Sequence, residues 1–148
     1  MAEMLHVVCP HCDAANRLPP ARLNQGGKCG RCGKALFTGA PVALDGLRFE
    51  RHLAKSDLPL IVDFWAAWCG PCRSLAPTFA RAAAELEPRA RFIKIDVDAS
   101  PDLAQRFRVQ GIPALFCFVG GKVAAQQAGL SDPSLFRRWV ERFAPVGA

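Results

Sequence analysis

The sequence predicts an α/β protein: a mixed central sheet with helices on both faces, preceded by a small N-terminal unit. Three observations predict this. From residue 42 onward, apolar runs of strand length alternate with helical patterns in the order βαβαβαββα. Residues 1–38 are short of core-forming side chains but hold four of the seven cysteines, as two CxxC pairs. A third CxxC pair follows an apolar run. We therefore divide the chain into residues 1–38, the head, and residues 39–148, the sheet unit.

Five strands are predicted in the sheet unit. The run at 60–66 is continuously apolar except for Asp63, which is typical of a strand buried on both faces. Gly120-Gly121 between two apolar runs indicates a hairpin. The predicted strands are 42–44, 60–66, 91–97, 114–119 and 123–127.

Four helices are predicted between these strands. Asp45 and Asp132 are suitable N-caps, and Pro133 fits the first helical position. Pro77 is expected to kink the longest helix. The predicted helices span 45–55, about 72–86, 102–107 and 132–143.

The four cysteines of the head have the spacing of a metal site. Sixteen residues separate the pairs Cys9/Cys12 and Cys29/Cys32, as in structural zinc sites with four thiolate ligands. Two alternatives stay open: His11 replacing one cysteine, or two redox-active disulfides. Because residues 1–38 cannot bury enough apolar area alone, we expect metal removal to unfold them and to leave the sheet unit folded.

Charge and composition limit the function classes. The net charge of +6 divides into +3 for residues 1–40 and +3 for the rest, and a zinc tetrathiolate would remove two of the head's charges. We therefore expect no nucleic-acid partner. No apolar run is long enough to span a bilayer, and no secretion signal is visible, so we expect a cytoplasmic protein without a membrane partner. In that reducing compartment, seven cysteines favour metal binding and catalysis.

The third pair has the placement of a redox dithiol. Cys69 lies at the predicted start of a helix, where unpaired N–H groups favour a thiolate, and Cys72 lies one turn further, shielded. Pro71 costs no hydrogen bond there, and Gly70 leaves the attacking sulfur uncovered. A third metal knuckle would need two more ligands, and only Cys117, in a predicted buried strand, remains. We interpret Cys117 as an inert core residue.

The segment DFWAAWCGPC at 63–72 strongly resembles the active-site segment of the thioredoxin family. The motifs at 111–113 and 120–122, with Gly129, fall where that family has counterparts. The similarity covers about residues 42–143 and implies the thioredoxin fold. With the cysteine-rich head in front, the chain resembles the thioredoxin 2 subgroup.

The resemblance implies two groups that assist the dithiol. Asp63 would help Cys72 lose its proton, and burial should raise its pKa toward neutrality, as this role requires. Lys94 would lie near this carboxylate.

The resemblance also implies a substrate-binding surface. A cis bond before Pro113 would place the Ile112 backbone beside the dithiol, where it pairs with an extended substrate segment. Trp68, Ile112 and the loop around Gly129 would form a shallow apolar collar beside Gly70 and Pro71, whereas Trp65 is interpreted as packing.

We therefore predict a protein-disulfide reductase in which Cys69 attacks and Cys72 resolves. The expected cofactor is a zinc ion with a structural or redox-sensing role, and no organic cofactor is expected. The expected partners of this monomer are protein disulfides and, by resemblance, thioredoxin reductase drawing on NADPH. The alternative is a zinc-dependent, redox-regulated binding module or holdase.

Overall fold

The head contains a short antiparallel hairpin that the sequence did not predict. The computed structural model describes residues 4–144. In it, β1 (Leu5–Val8) pairs with β2 (Ala15–Leu18), and a 3₁₀ turn at Pro20–Arg22 follows. Four-residue strands are too short for a clear alternating pattern, so sequence periodicity could not reveal them.

The sheet unit is built on a five-stranded mixed sheet, as predicted. Its order is β3-β5-β4-β6-β7. The first three strands in that order run parallel, and β6 and β7 run antiparallel to their neighbours. The strands are β3 (Val42–Ala43), β4 (Leu60–Trp65), β5 (Arg91–Asp96), β6 (Ala114–Val119) and β7 (Lys122–Ala128).

Helices cover both faces of this sheet. Alternate residues of a strand point to opposite faces: Ile61 joins the core under α2 and α4, whereas Val62 joins the core under α1 and α3. Asp63 is two residues after Ile61, so its side chain points to the same face, on the α2 side. No helix within residues 4–144 is long and apolar enough to cross a membrane. The helices are α1 (Gly46–Lys55), α2 (Gly70–Leu86), α3 (Pro101–Arg106) and α4 (Pro133–Glu141).

Two predicted helix caps are confirmed. The Asp45 carboxylate accepts a hydrogen bond from the Arg48 backbone N–H at 3.0 Å. Asp132 accepts from the N–H groups of Ser134 and Leu135 at 2.9 and 3.1 Å. Each carboxylate satisfies N–H groups that have no partner within the helix.

Two helix ends differ from the prediction by about two residues, and α3 is shifted by one. α2 begins at Gly70, about two residues early, because Cys69 serves as its N-cap and Pro71 occupies a first-turn position that needs no donor. α4 ends at Glu141, two residues early. Pro77 lies inside α2, and the kink expected there stays a prediction.

A small apolar core joins the head to the sheet unit. Val7, Cys9, Cys29 and Leu36 are buried together with Leu58, which lies just before β4. The head therefore completes its small core with a residue of the sheet unit, and the expectation that residues 1–38 cannot bury enough apolar area alone stays a prediction. The boundary between residues 38 and 39 stays a prediction.

Arg91, the first residue of β5, binds the head from inside the sheet unit. Its side chain is only 3% exposed. The guanidinium donates to the carbonyl oxygens of Val8 at 3.0 Å and Leu36 at 2.9 Å. Glu87 Oε2 lies 3.4 Å away, and the ring of Phe37 lies 4.5 Å below the guanidinium. A buried charge with these partners ties the head's backbone to the sheet.

A second buried contact involves Asp13, whose side chain is 5% exposed. Arg48 donates to both carboxylate oxygens, at 2.9 and 3.0 Å, and to the Pro10 carbonyl oxygen at 2.8 Å. His52 Nε2 lies 3.0 Å from Asp13 Oδ1. Burial lowers the pKa of His52 to about 4, so the histidine is neutral at pH 7 and Arg48 balances the carboxylate.

Candidate functional site

The third cysteine pair lies where β4 leads into α2. Cys69 and Cys72 are joined by a disulfide, with their Cα atoms 5.2 Å apart. Cys69 Sγ accepts a hydrogen bond from the Cys72 backbone N–H at 3.2 Å. In the reduced form, this N–H and the positive end of the helix dipole would stabilise a thiolate on Cys69.

Cys69 is more enclosed than the sequence suggested. It is 4% exposed, close to the 2% of Cys72. Ile112 and Trp65 pack against the pair, and the Ile112 carbonyl oxygen lies 3.8 Å from Cys69 Sγ. The expectation of an exposed Cys69 is therefore wrong for this disulfide form, because residues distant in sequence cover it.

Asp63 is fully buried on the α2 side of β4. Neither carboxylate oxygen has a hydrogen-bond partner among the described residues. Burial raises the pKa of Asp63 to about 6, and the positive charge of Lys94 partly opposes this shift. Lys94 is the register partner of Asp63 on β5, and its Nζ lies 4.3 Å from the centre of the Trp65 ring. The geometry therefore places Lys94 near the carboxylate, where the resemblance implies it.

A groove of about 860 Å³ runs beside the disulfide and is lined in part by Pro71, Ile112, Pro113 and Gly129. The Ile112–Pro113 peptide bond is cis, as the resemblance implies. The Gly129 N–H donates to the Pro113 carbonyl oxygen at 3.1 Å. A Cβ atom on Gly129 would lie 2.5 Å from Pro113 Cγ, so only glycine allows the loop to approach this closely.

Trp68 and Gly70 lie near the disulfide but do not line the groove. Trp68 is 68% exposed, and its indole N–H donates to Asp98 at 2.9 Å. The nearest atom to a Cβ placed on Gly70 is Arg73 Nη2, at 4.0 Å, so the space before the dithiol is open. Trp68 therefore presents an exposed apolar ring whose orientation is held by Asp98.

The four head cysteines converge at one point. Their Sγ atoms all lie within 4.8 Å of one another. The separations are 3.7 Å for Cys9–Cys32 and 3.6 Å for Cys12–Cys29. Tetrahedral zinc with Zn–S bonds of about 2.3 Å requires sulfurs about 3.8 Å apart, so the cluster fits this ion.

Backbone donors support a charged metal–sulfur cluster. The N–H groups of His11 and Arg31 donate to Cys9 Sγ and Cys29 Sγ at 3.3 and 3.4 Å. Hydrogen bonds from the Cys32 backbone and the Asn16 side chain lower the pKa of Cys29 to about 6, which favours the thiolate that a metal ligand must be.

Two other predicted residues lie outside both sites. The His11 ring is not part of the four-sulfur cluster. Cys117 is fully buried in β6, and burial raises the pKa of its thiol to about 12, which makes it unreactive.

Sequence reasoning missed the residues that join the two units. The only local indication of these contacts in the sequence is the charged Arg91 at the start of an apolar strand. Nothing near Asp13, Arg48, His52 or Glu87 distinguishes them from solvated charges.

Comparison with known proteins identifies relatives of both units. The family model described as Thioredoxin matches residues 40–142, and one described as Thioredoxin 2, N-terminal, matches residues 8–34. Thioredoxin C-3 of Corynebacterium nephridii is 36% identical over 136 residues, covering 92% of this chain and 93% of that protein. Thioredoxin 1 of Chlorobaculum tepidum is 51% identical over 77 residues, covering 52% and 76%.

A solved structure shows the same fold. A mutant thioredoxin from Halobacterium salinarum NRC-1 aligns with a TM-score of 0.66 at 28% identity, covering 76% of this chain and 97% of that one.

Proposed function

Because the chain belongs to the thioredoxin family, whose members are protein-disulfide oxidoreductases, we propose that it works as a cytosolic reductase of protein disulfides. The observation that carries the proposal is the Cys69–Cys72 disulfide at the start of α2, and the buried Asp63, without a hydrogen-bond partner among residues 4–144, lies on the same side of the sheet as this helix. A dithiol there can transfer two electrons, and the carboxylate can move the proton that accompanies the second step.

The reaction begins from the reduced dithiol. The Cys69 thiolate attacks one sulfur of a substrate disulfide, so the substrate S–S bond breaks, a mixed disulfide forms, and the first substrate thiolate takes a proton from solvent. The Cys72 thiol then loses its proton to Asp63 through water and attacks Cys69 Sγ. This step breaks the mixed disulfide, releases the second substrate thiolate and forms the Cys69–Cys72 disulfide. Two electrons pass from the protein to the substrate.

The groove beside the disulfide holds the substrate during this exchange. An extended segment can pair with the Ile112 backbone, and Pro113 and Gly129 lie beside it in the groove. Thioredoxin reductase, drawing on NADPH, would return electrons to the disulfide, and the protein would act as a monomer without an organic cofactor.

The head would hold one structural zinc ion through Cys9, Cys12, Cys29 and Cys32. Four sulfur ligands leave no open coordination position, so the bound ion supplies folding stability and no hydrolytic chemistry.

Asp63→Asn is expected to slow turnover and to stabilise the protein above pH 6. The folded-state pKa of about 6 exceeds the ordinary value of 3.8. The stability of the wild-type protein is therefore full below about pH 4 and falls as the pH rises through 6, because the buried carboxylate ionises. A shift of this size corresponds to a change of about 3 kcal/mol in the free energy of unfolding.

Urea unfolding of both proteins at pH 4 and pH 8 measures this pH dependence, with Asp98→Asn as an exposed control. Equal pH dependence in the two proteins would contradict the pKa, and unchanged exchange rates from pH 6 to 9 would contradict the proton-transfer role.

The reductase proposal is tested by insulin reduction with the full chain and dithiothreitol as the electron source. We expect the insulin chains to separate and precipitate far sooner than with dithiothreitol alone. A rate equal to that of dithiothreitol alone, together with suppression of the aggregation of an unfolded client, would instead support the binding-module alternative.

A further inference from the structure

We propose that the head carries a docking site for an acidic segment of the protein's partners, lined by Arg17, Arg22 and Lys28. The inference rests on the proposed function in one respect: the partners are taken to be proteins.

The head has exposed charges of one sign. Within residues 4–38, its single carboxylate, Asp13, is buried and bound by Arg48. None of the head's cations forms an ion pair with a described residue, whereas exposed cations of the sheet unit do, as in Arg81–Glu85. The cations of the head, all exposed, are Arg17, Arg22, Lys28, Arg31 and Lys34.

A bound zinc ion would not cancel this charge. Four thiolates and Zn²⁺ carry a net charge of −2, and the five exposed cations of the head outnumber it. A positive excess therefore remains. Three of these cations, Arg17, Arg22 and Lys28, lie together.

The three side chains line one cleft of about 280 Å³. Leu18 and Leu36 contribute apolar lining, and the amides of Asn16 and Gln25 add hydrogen-bonding groups. The two guanidinium groups suit carboxylates, because each offers a planar pair of donors that matches the two carboxylate oxygens.

The cleft is tied to the metal site. The Asn16 amide nitrogen lies 3.5 Å from Cys29 Sγ, and its oxygen accepts a hydrogen bond from the Gly30 N–H at 2.9 Å. Lys28 is held by a β-bridge to Ala35 across the same knuckle. The relative positions of the lining side chains therefore depend on the folded knuckle.

The occupant that fits best is an acidic peptide segment and not a nucleic acid. Single-stranded nucleic acids bind largely by stacking on aromatic rings. The one aromatic residue of the head, Phe37, is half-buried, with the Arg91 guanidinium over its ring. The proposed partners are proteins, and the anionic groups on a protein surface are the carboxylates of Asp and Glu.

The test uses the full-length, zinc-loaded protein and a fluorescein-labelled ten-residue peptide of alternating Glu and Gly, without cysteine. Fluorescence anisotropy should show binding that weakens as salt rises. The triple variant Arg17→Gln, Arg22→Gln, Lys28→Gln should lose affinity about tenfold or more. The control Lys55→Gln, Lys122→Gln, Arg138→Gln removes the same charge from exposed positions outside the head and should bind like wild type.

Chelation of the metal should also abolish peptide binding. Equal losses in the two triple variants would overturn the proposal in favour of net charge alone, as would the absence of binding. Tighter binding of single-stranded DNA of equal charge, lost in the same head variant, would overturn the choice of partner. The peptide has no disulfide, so its binding does not depend on disulfide exchange. Failure of insulin reduction would therefore refute the reductase proposal without affecting the binding result. Zinc content and urea midpoints of both variants establish that they fold.

Discussion

Cys69→Ser is expected to abolish disulfide reduction, whereas Cys72→Ser is expected to trap covalent mixed disulfides. Only Cys69 accepts the backbone N–H bond that stabilises a thiolate at the helix start. Without Cys72, the first attack still occurs, but no second thiol lies close enough to resolve the product. The variants therefore separate attack from resolution, which a loss of turnover alone cannot do.

Non-reducing electrophoresis after incubation with a disulfide substrate measures this difference. Cys72→Ser should give a higher-mass species that dithiothreitol removes, and Cys69→Ser should give none. Cys117→Ala is the matched control: the Cys117 thiol is buried in β6, so this variant should keep turnover and trap nothing. Trapping by Cys69→Ser alone would reverse the assignment of attacking and resolving cysteine.

The sheet and the dithiol were predictable because their signals are local. The apolar run containing Asp63 indicated the buried strand β4, and a two-residue spacer after it indicated the dithiol. Burial of Asp63 also followed from its neighbours alone, and the structure places it on the α2 side, unpartnered.

The contacts between the two units were not predictable, because their partners lie far apart in the chain. Arg91 binds the carbonyl oxygen of Val8, 83 residues away. In the sequence, Arg91 is a cation at the start of a predicted strand, and Asp13 is a carboxylate outside any predicted element. No periodic pattern connects either residue with its partners. The enclosure of Cys69 by Ile112 was missed for the same reason.

These contacts change what metal removal should do. The sequence predicts that the sheet unit stays folded without the metal, and the contacts of Arg91 add that it should be less stable. Chelation should unfold the head and lower the stability of the sheet unit, because Arg91 loses its hydrogen bonds to the carbonyl oxygens of Val8 and Leu36, each of which contributes about 1.5–3 kcal/mol when the donor is charged.

The three tryptophans, Trp65, Trp68 and Trp139, make this measurable because all lie in the sheet unit. Their fluorescence during urea unfolding reports that unit alone, while zinc content reports the head. The midpoint should fall on chelation in the wild-type protein and in the exposed control Arg81→Met. In Arg91→Met the midpoint should start lower and fall less, since the link to the head is already broken. A tryptophan transition that chelation leaves unchanged, with the zinc fully removed, would show that the buried contacts do not couple the metal site to the sheet.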